Sequence, residues 1–178
     1  FAWNHGDVQP EIVTTWLGMV GPGIAHKGVD RTTWSDHTDI RPTLMVLLGL
    51  KDDYSHDGRA LIEDFSRSAK PSATRNENFT DVARTYKQID ASVGQFGLET
   101  LMISTRAIKS GSSSNDSTYT HLENKLIALT NERNALAGQM ISALEGAEFT
   151  GQSIGDHRAE QLVESGQNLL EKVSELAD

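Results

Sequence analysis

The chain contains no cysteine, which excludes disulfides and thiolate-bound metal but leaves the redox compartment open, because many exported proteins also lack the residue. It has no Lys- or Arg-rich stretch either. Its 16 basic residues stand against 25 acidic ones, a net charge of −9, and a surface of that sign does not neutralise a phosphate backbone, so no nucleic-acid partner is expected. A membrane-spanning helix needs roughly 20 apolar residues, and the run at residues 44–50 is far too short. No Met opens the chain, and Phe1-Ala2-Trp3-Asn4-His5-Gly6 reads like the interior of a domain. The expectation is a piece of a larger protein, with any signal peptide lying in sequence upstream.

What is present divides into two parts with different patterning. Up to about residue 65 the chain is Gly-rich and irregular, holding Pro10, Pro22 and Pro42, all three Trp, and His5, His26, His37 and His56. Residues 12–20 are apolar, β-branched and aromatic and stop at Gly21-Pro22-Gly23, so they predict a buried strand ending in a turn. Pro42 near a start and Gly49 near an end predict a short helix, with Asp39 as its cap. Residues 52–58 read as a polar turn and 59–65 as a short closing segment.

Residues 66–79 show no apolar periodicity and predict a linker. Beyond it Val82, Tyr86, Ile89, Val93, Phe96 and Ile103 recur at three- and four-residue steps, predicting one helix over 80–109 that Gly94 and Gly97 weaken. A Ser-rich loop over 110–117 leads to a second helix, with Thr120 and Glu123 as a capping box and a stripe from Leu122 to Leu144 that stops near Gly146. A third is signalled by Asp156 as N-cap and by Leu162, Val163, Leu169, Leu170, Val173 and Leu176. The predicted fold is an α/β segment over residues 1–65 at the edge of a sheet, a linker over 66–79, and an all-α antiparallel three-helix bundle over 80–178.

Most chemistry-bearing residues have plain structural readings. Gly21-Pro22-Gly23 lacks the Lys-Ser/Thr of a phosphate loop and reads as a turn. Ser35, Ser55 and Ser66 have no nucleophile-elbow context. Glu123, Glu132, Glu145 and Glu148, with His121 and His157, lack the Glu-x-x-His spacing of a metal bundle and read as a solvated face. His26 and His56 have no matched partner and read as solvent-facing. The apolar stripes read as bundle core, and any stripe left uncovered would favour a homo-oligomer.

One set of motifs points further. Asn4-His5-Gly6-Asp7, Gly21-Pro22-Gly23-Ile24, Asp39-Ile40-Arg41-Pro42-Thr43 running to Leu48-Gly49-Leu50, and Asp57-Gly58-Arg59-Ala60-Leu61 occur in that order. Together they resemble the closing segment of the alkaline-phosphatase superfamily, which includes nucleotide pyrophosphatases/phosphodiesterases, sulfatases and cofactor-independent phosphoglycerate mutases. The resemblance covers about the first third of the chain. It implies an α/β edge, two divalent metals, often zinc, held by Asp and His, and a Ser, Thr or modified Cys that attacks phosphorus or sulfur, most of these preceding Phe1.

By the same resemblance His5 is a metal ligand and Asp7 a partner orienting its imidazole. Asn4 departs from the Asp-His-Gly pattern of some members and is a poor ligand. His37 is a further candidate ligand, set against the reading that Asp36, Thr38 and Asp39 cap a helix N-terminus. No catalytic residue is assigned, and the chain alone is expected to be inactive and metal-free. The resemblance implies a phosphate or sulfate ester as substrate of the larger protein and an exported or periplasmic site. The competing reading is a non-catalytic helical module for interaction or oligomerisation.

Overall fold

The apolar stripes of the second half close on one another as a helical bundle. A computed structural model of the protein describes residues 9–51, 54–110 and 116–178. Its elements are α1 (Pro10–Val13), α2 (Ile40–Leu48), α3 (Glu77–Asp90), α4 (Gln95–Ser110), α5 (Ser117–Phe149) and α6 (Asp156–Ala177), with short 3-10 turns at His37–Asp39, Ile62–Asp64 and Ser72–Thr74. Among the described residues no helix is long and apolar enough to cross a membrane.

Side-chain contacts fix how the helices run. Asn78 at the start of α3 donates to Asp156 Oδ1 at the start of α6 (2.8 Å), while Asp90 at its end meets Arg133 of α5 (2.8 Å). Thus α3 is parallel to α6 and antiparallel to α5. Farther along, Arg106 of α4 donates to the carbonyl of Ala177, so α4 continues in the direction of α3 along the far halves of α5 and α6. The bundle therefore has three rods, the first of them broken.

The helix expected over 80–109 divides because of what its glycines must touch. Ala91 leaves the helix with extended backbone, and Gly94 N–H returns to the Ala91 carbonyl at 2.8 Å. A Cβ on Gly94 would lie 2.4 Å from the Lys87 carbonyl oxygen, and one on Gly97 would lie 2.3 Å from that of Ser92. Only glycine fits either place, so the two residues form the break rather than merely weakening a continuous helix. On either side of it Val82, Tyr86, Ile89, Phe96 and Ile103 are buried against Leu136, Met140, Leu144, Leu162, Leu169 and Val173.

The α/β expectation is overturned: the described residues contain no strand, and their only extended pairing is an isolated antiparallel bridge between Ile24 and Phe65. Residues 12–20 begin in α1 and continue as irregular chain, with Trp16 88% and Val20 94% exposed. An apolar β-branched run specifies a strand only when a neighbour completes its hydrogen-bond ladder, and among the described residues no strand lies beside this one. The turn reading of Gly21-Pro22-Gly23 is matched by the backbone: Gly23 has φ 87°, and a Cβ there would lie 2.9 Å from Leu47.

Helix α2 ends as its residues direct. Gly49 adopts a left-handed φ of 64°, and Leu50 N–H reaches back to the Met45 carbonyl at 2.9 Å, a glycine stop that satisfies the last helical carbonyls. Other boundaries shift. Helix α5 begins at Ser117, which places Thr120 and Glu123 inside it, and continues past Gly146 to Phe149; the N-cap of α6 is Gly155 rather than Asp156. Residues 66–79 contain buried Ala73 and Thr74, and Phe79 of α3 belongs to the same core as Phe65 and Ile62.

Candidate functional site

Two of the motifs that carry the resemblance, those beginning at Asp39 and at Asp57, meet where the 36–43 and 56–63 segments lie against α3 and α5. Asp36 opens the turn before α2: its carboxylate accepts from Thr38 N–H at 3.0 Å, and Asp39 Oδ2 accepts from Asp36 N–H at 3.0 Å. This reciprocal capping box satisfies donors that the turn would otherwise leave orphaned. The second motif half then locks onto the first. Arg59 N–H donates to Asp39 Oδ1 at 2.9 Å, Leu61 N–H to Thr43 Oγ1 at 2.9 Å, and Thr43 in turn to the Asp39 carbonyl at 2.6 Å. Between them Gly58 runs so close that an added Cβ would stand 2.1 Å from the Thr38 carbonyl oxygen.

Helix α3 supplies the charge that neutralises this corner. Lys87 is 1% exposed and Asp39 0%, and the ammonium sits 2.6 Å from Asp39 Oδ1 and 2.9 Å from Asp36 Oδ2. Burial raises the Asp39 carboxyl above its ordinary value, against the pull of Lys87. At Asp36 burial also pushes upward, but the Thr38 hydroxyl and Lys87 outweigh it and the net direction is down. Arg59, equally buried, pairs with Glu63 at 2.6 Å; its Nε has no hydrogen-bond partner among the described residues.

Helix α5 holds the same segment with two carboxylates one turn apart. Glu145 Oε1 lies 3.1 Å from His56 Nδ1, and Glu148 Oε1 accepts from Ala60 N–H at 2.9 Å. Burial pushes the Glu148 carboxyl up to about 8, against the Ala60 N–H and the Arg59 charge. From α3, the Tyr86 hydroxyl donates to the Asp57 carbonyl at 2.7 Å. The His56 ring stacks on Phe149 with centroids 5.9 Å apart.

Beside the corner lies a cleft of about 500 Å³ bordered by Lys27, Asp30, Trp34, Arg59, Glu63 and Arg84 among others. Its cations are matched by nearby carboxylates: Lys27 lies 3.7 Å from Asp30 and 3.8 Å from Asp64, and Arg84 is 3.8 Å from Asp81. Asp30 is held well below the usual carboxylate range by the Thr32 N–H, then by the Thr33 and Thr32 hydroxyls. Each positive side chain around the cleft thus lies against a carboxylate.

The sequence candidates fall as follows. His5 and Asp7, with Asn4, lie outside the described residues. His37 is exposed; of the carboxylates on either side of it, Asp36 caps the turn as the capping reading expected, whereas Asp39 gives α2 no side-chain cap and both pair with Lys87. Among the described residues no group of three or more His, Asp or Glu is placed to hold a metal ion, so they supply no ligand set for zinc.

Two readings are corrected. His56 is buried rather than solvent-facing, and Glu148 is buried rather than part of a solvated face; both are drawn in by residues far away in sequence. Glu132 does lie at the surface, 2.6 Å from Lys172. Lys87 escaped the sequence reading altogether, because a lysine at the edge of an apolar stripe normally extends its head group to water. Compared with known proteins, the chain matches no family model, no curated sequence and no solved structure.

Proposed function

We propose that this chain is the closing, non-catalytic segment of a metal-dependent hydrolase of phosphate or sulfate esters, and that its helical bundle serves to hold that segment in place. The observation that carries this reading is a coincidence of location. Residues 12–50, which bear most of the resemblance, also leave much of their apolar surface uncovered: Trp16, Val20 and Val29, and Ile40, Leu44 and Leu48 at four-residue steps along α2, are all exposed. An exposed apolar stripe such as that of α2 marks a surface made to be covered. The interlock between Asp39, Thr43, Gly58 and Arg59 gives the shared residues a supporting role consistent with it.

In such a hydrolase two metal ions would stabilise the attacking and leaving oxygens of an in-line displacement. Of this chain's residues only His5 is assigned to a metal, with Asp7 orienting its ring. The test compares this chain with the longer protein by elemental analysis after dialysis and by turnover of aryl phosphate, phosphodiester and aryl sulfate substrates. Metal and turnover are expected in the longer protein only, with metal content reduced by His5→Ala. Metal-dependent turnover by this chain alone, abolished by His5→Ala, would overturn the proposal, and metal in neither protein would favour the non-catalytic interaction module.

A further inference from the structure

The cleft beside the Asp39 corner has its charges matched but its hydrogen bonds incomplete. Arg59, which borders it, is the clearest case. Its side chain is 1% exposed, and Nη1 donates to the Ala60 carbonyl at 3.1 Å and to Glu63 Oε2 at 2.6 Å. The opposite edge of the guanidinium, formed by Nε and Nη2, is one with which arginine grips paired oxygens. Nη2 has only a 3.5 Å contact there, to the carbonyl of Trp34, a residue that also borders the cleft. Nε has no hydrogen-bond partner among the described residues. A buried donor in that condition is costly until an acceptor meets it.

Further groups on the same walls are open. Glu63 gives Oε2 to Arg59, and its Oε1 has no partner among the described residues. Gln88 accepts the Gln95 N–H at 3.3 Å and has no described acceptor for its NH2. Gln167 of α6 forms no hydrogen bond with a described residue. The Thr32 and Thr33 hydroxyls, by contrast, are both turned to Asp30 at 2.8 Å.

We infer that this cleft is a binding site for an uncharged, polyhydroxylated molecule of one or two sugar rings. The chemistry of its walls selects that class. Arg59 offers donors, Glu63 an acceptor and the two glutamine amides both, and a hydroxyl is the ligand group that donates and accepts at one atom. The cations already lie against carboxylates, so an ionic ligand would bring in a charge with no counter-charge to repay its desolvation. Among the bordering residues only Trp34 and Leu170 are apolar, which is too little surface to hold a hydrophobic molecule. The volume of about 500 Å³ lies within the range of small-molecule pockets. The site does not depend on the hydrolase proposal.

The test is a titration of the isotope-labelled chain, followed by proton–nitrogen correlation NMR, with glucose, galactose, mannose, maltose, lactose and cellobiose. At least one of these is expected to bind saturably, with a Kd between about 10 μM and 10 mM, and to shift the Arg59 Nε–H resonance. Gln167 is exposed and unpaired, so Gln167→Ala should weaken binding at least about threefold with the thermal melt unchanged. Gln167→Trp, which fills the cleft, should abolish binding. Arg59→Lys keeps the charge and loses the fork, and should weaken binding at least about tenfold; if that buried variant unfolds, the Gln167 pair decides. Inorganic phosphate, acetate and glycine at constant ionic strength should leave the Arg59 signal in place. No saturable binding by any of the six sugars overturns the inference, as does sugar binding indifferent to Gln167→Trp. A saturable shift of the Arg59 signal by phosphate or acetate and not by sugar overturns the assignment of an uncharged ligand.

Discussion

Replacing Glu148 by Gln changes almost nothing in shape and removes one titration, so it isolates the effect of burying a carboxyl under the 56–63 segment. In the fold one oxygen accepts the Ala60 N–H, the other has no hydrogen-bond partner among the described residues, and burial pushes the group from an ordinary 4.5 up to about 8. Between those values the folded chain holds a proton that the unfolded chain has released. Stability then falls as pH rises, by about 1.4 kcal/mol per unit, and the fall ends once the folded form also ionises. Across the window the loss is on the order of a few kcal/mol, a large part of the stability of a small domain.

Gln keeps an acceptor for Ala60 and cannot ionise. Urea unfolding followed by far-UV circular dichroism should find Glu148→Gln within about 1 kcal/mol of the parent near pH 5 and more stable than it by about 2–5 kcal/mol near pH 9. The gap should open steadily between. Glu148→Ala, which strips the acceptor from a buried N–H, should instead be destabilised near pH 5 by about 1–3 kcal/mol or more. A Gln variant no more stable than the parent near pH 9, or a gap that does not grow with pH, would refute the assignment of a buried, proton-holding carboxyl.

Two further substitutions probe close backbone approach. Gly166 of α6 crosses α3 so tightly that a Cβ would lie 2.2 Å from Thr85 Cγ2; Gly166→Ala should cost about 1–3 kcal/mol despite its better helix propensity. Thr85→Ser removes that methyl, keeps the hydroxyl that donates to the Asp81 carbonyl, and should recover most of the loss in the double variant, as measured by thermal melting. Gly58→Ala should cost several kcal/mol, because the obstructing atom is the Thr38 carbonyl and backbone cannot step aside. Hydrogen exchange should then show faster loss of protection at the Arg59 and Leu61 amides.

The bundle was legible because its signal is local and repeated. Val82, Tyr86, Ile89 and Ile103, or Leu136, Met140 and Leu144, are spaced by the helix itself, and burial of that stripe is what folding a helix in water requires. Gly49 and the turn at Gly21-Pro22-Gly23 were legible for a similar reason, since each follows from local backbone preference, although no element ends at the second. The run over residues 12–20 was not. Its composition suits a strand, but a strand is a property of two segments, and none of the described residues pairs with it. The corner around Asp39 was half legible: a capping turn over residues 36–39 follows from those residues alone, but Asp39 gives α2 no side-chain cap, and its ion pair depends on Lys87, 48 positions away.

The sequence by itself determined the α2 stop, the capping turn before it and the apolar stripes of the bundle, all through interactions within a few residues, whereas the break at Gly94 and Gly97 was set by the backbone they approach. Only the tertiary structure decided which charges are buried. Lys87, Arg59, His56 and Glu148 look like surface residues when read along the chain, and they become interior when α3 and α5 close over the motif segment. Desolvation depends on everything that surrounds a group, and no short stretch of sequence contains that surrounding.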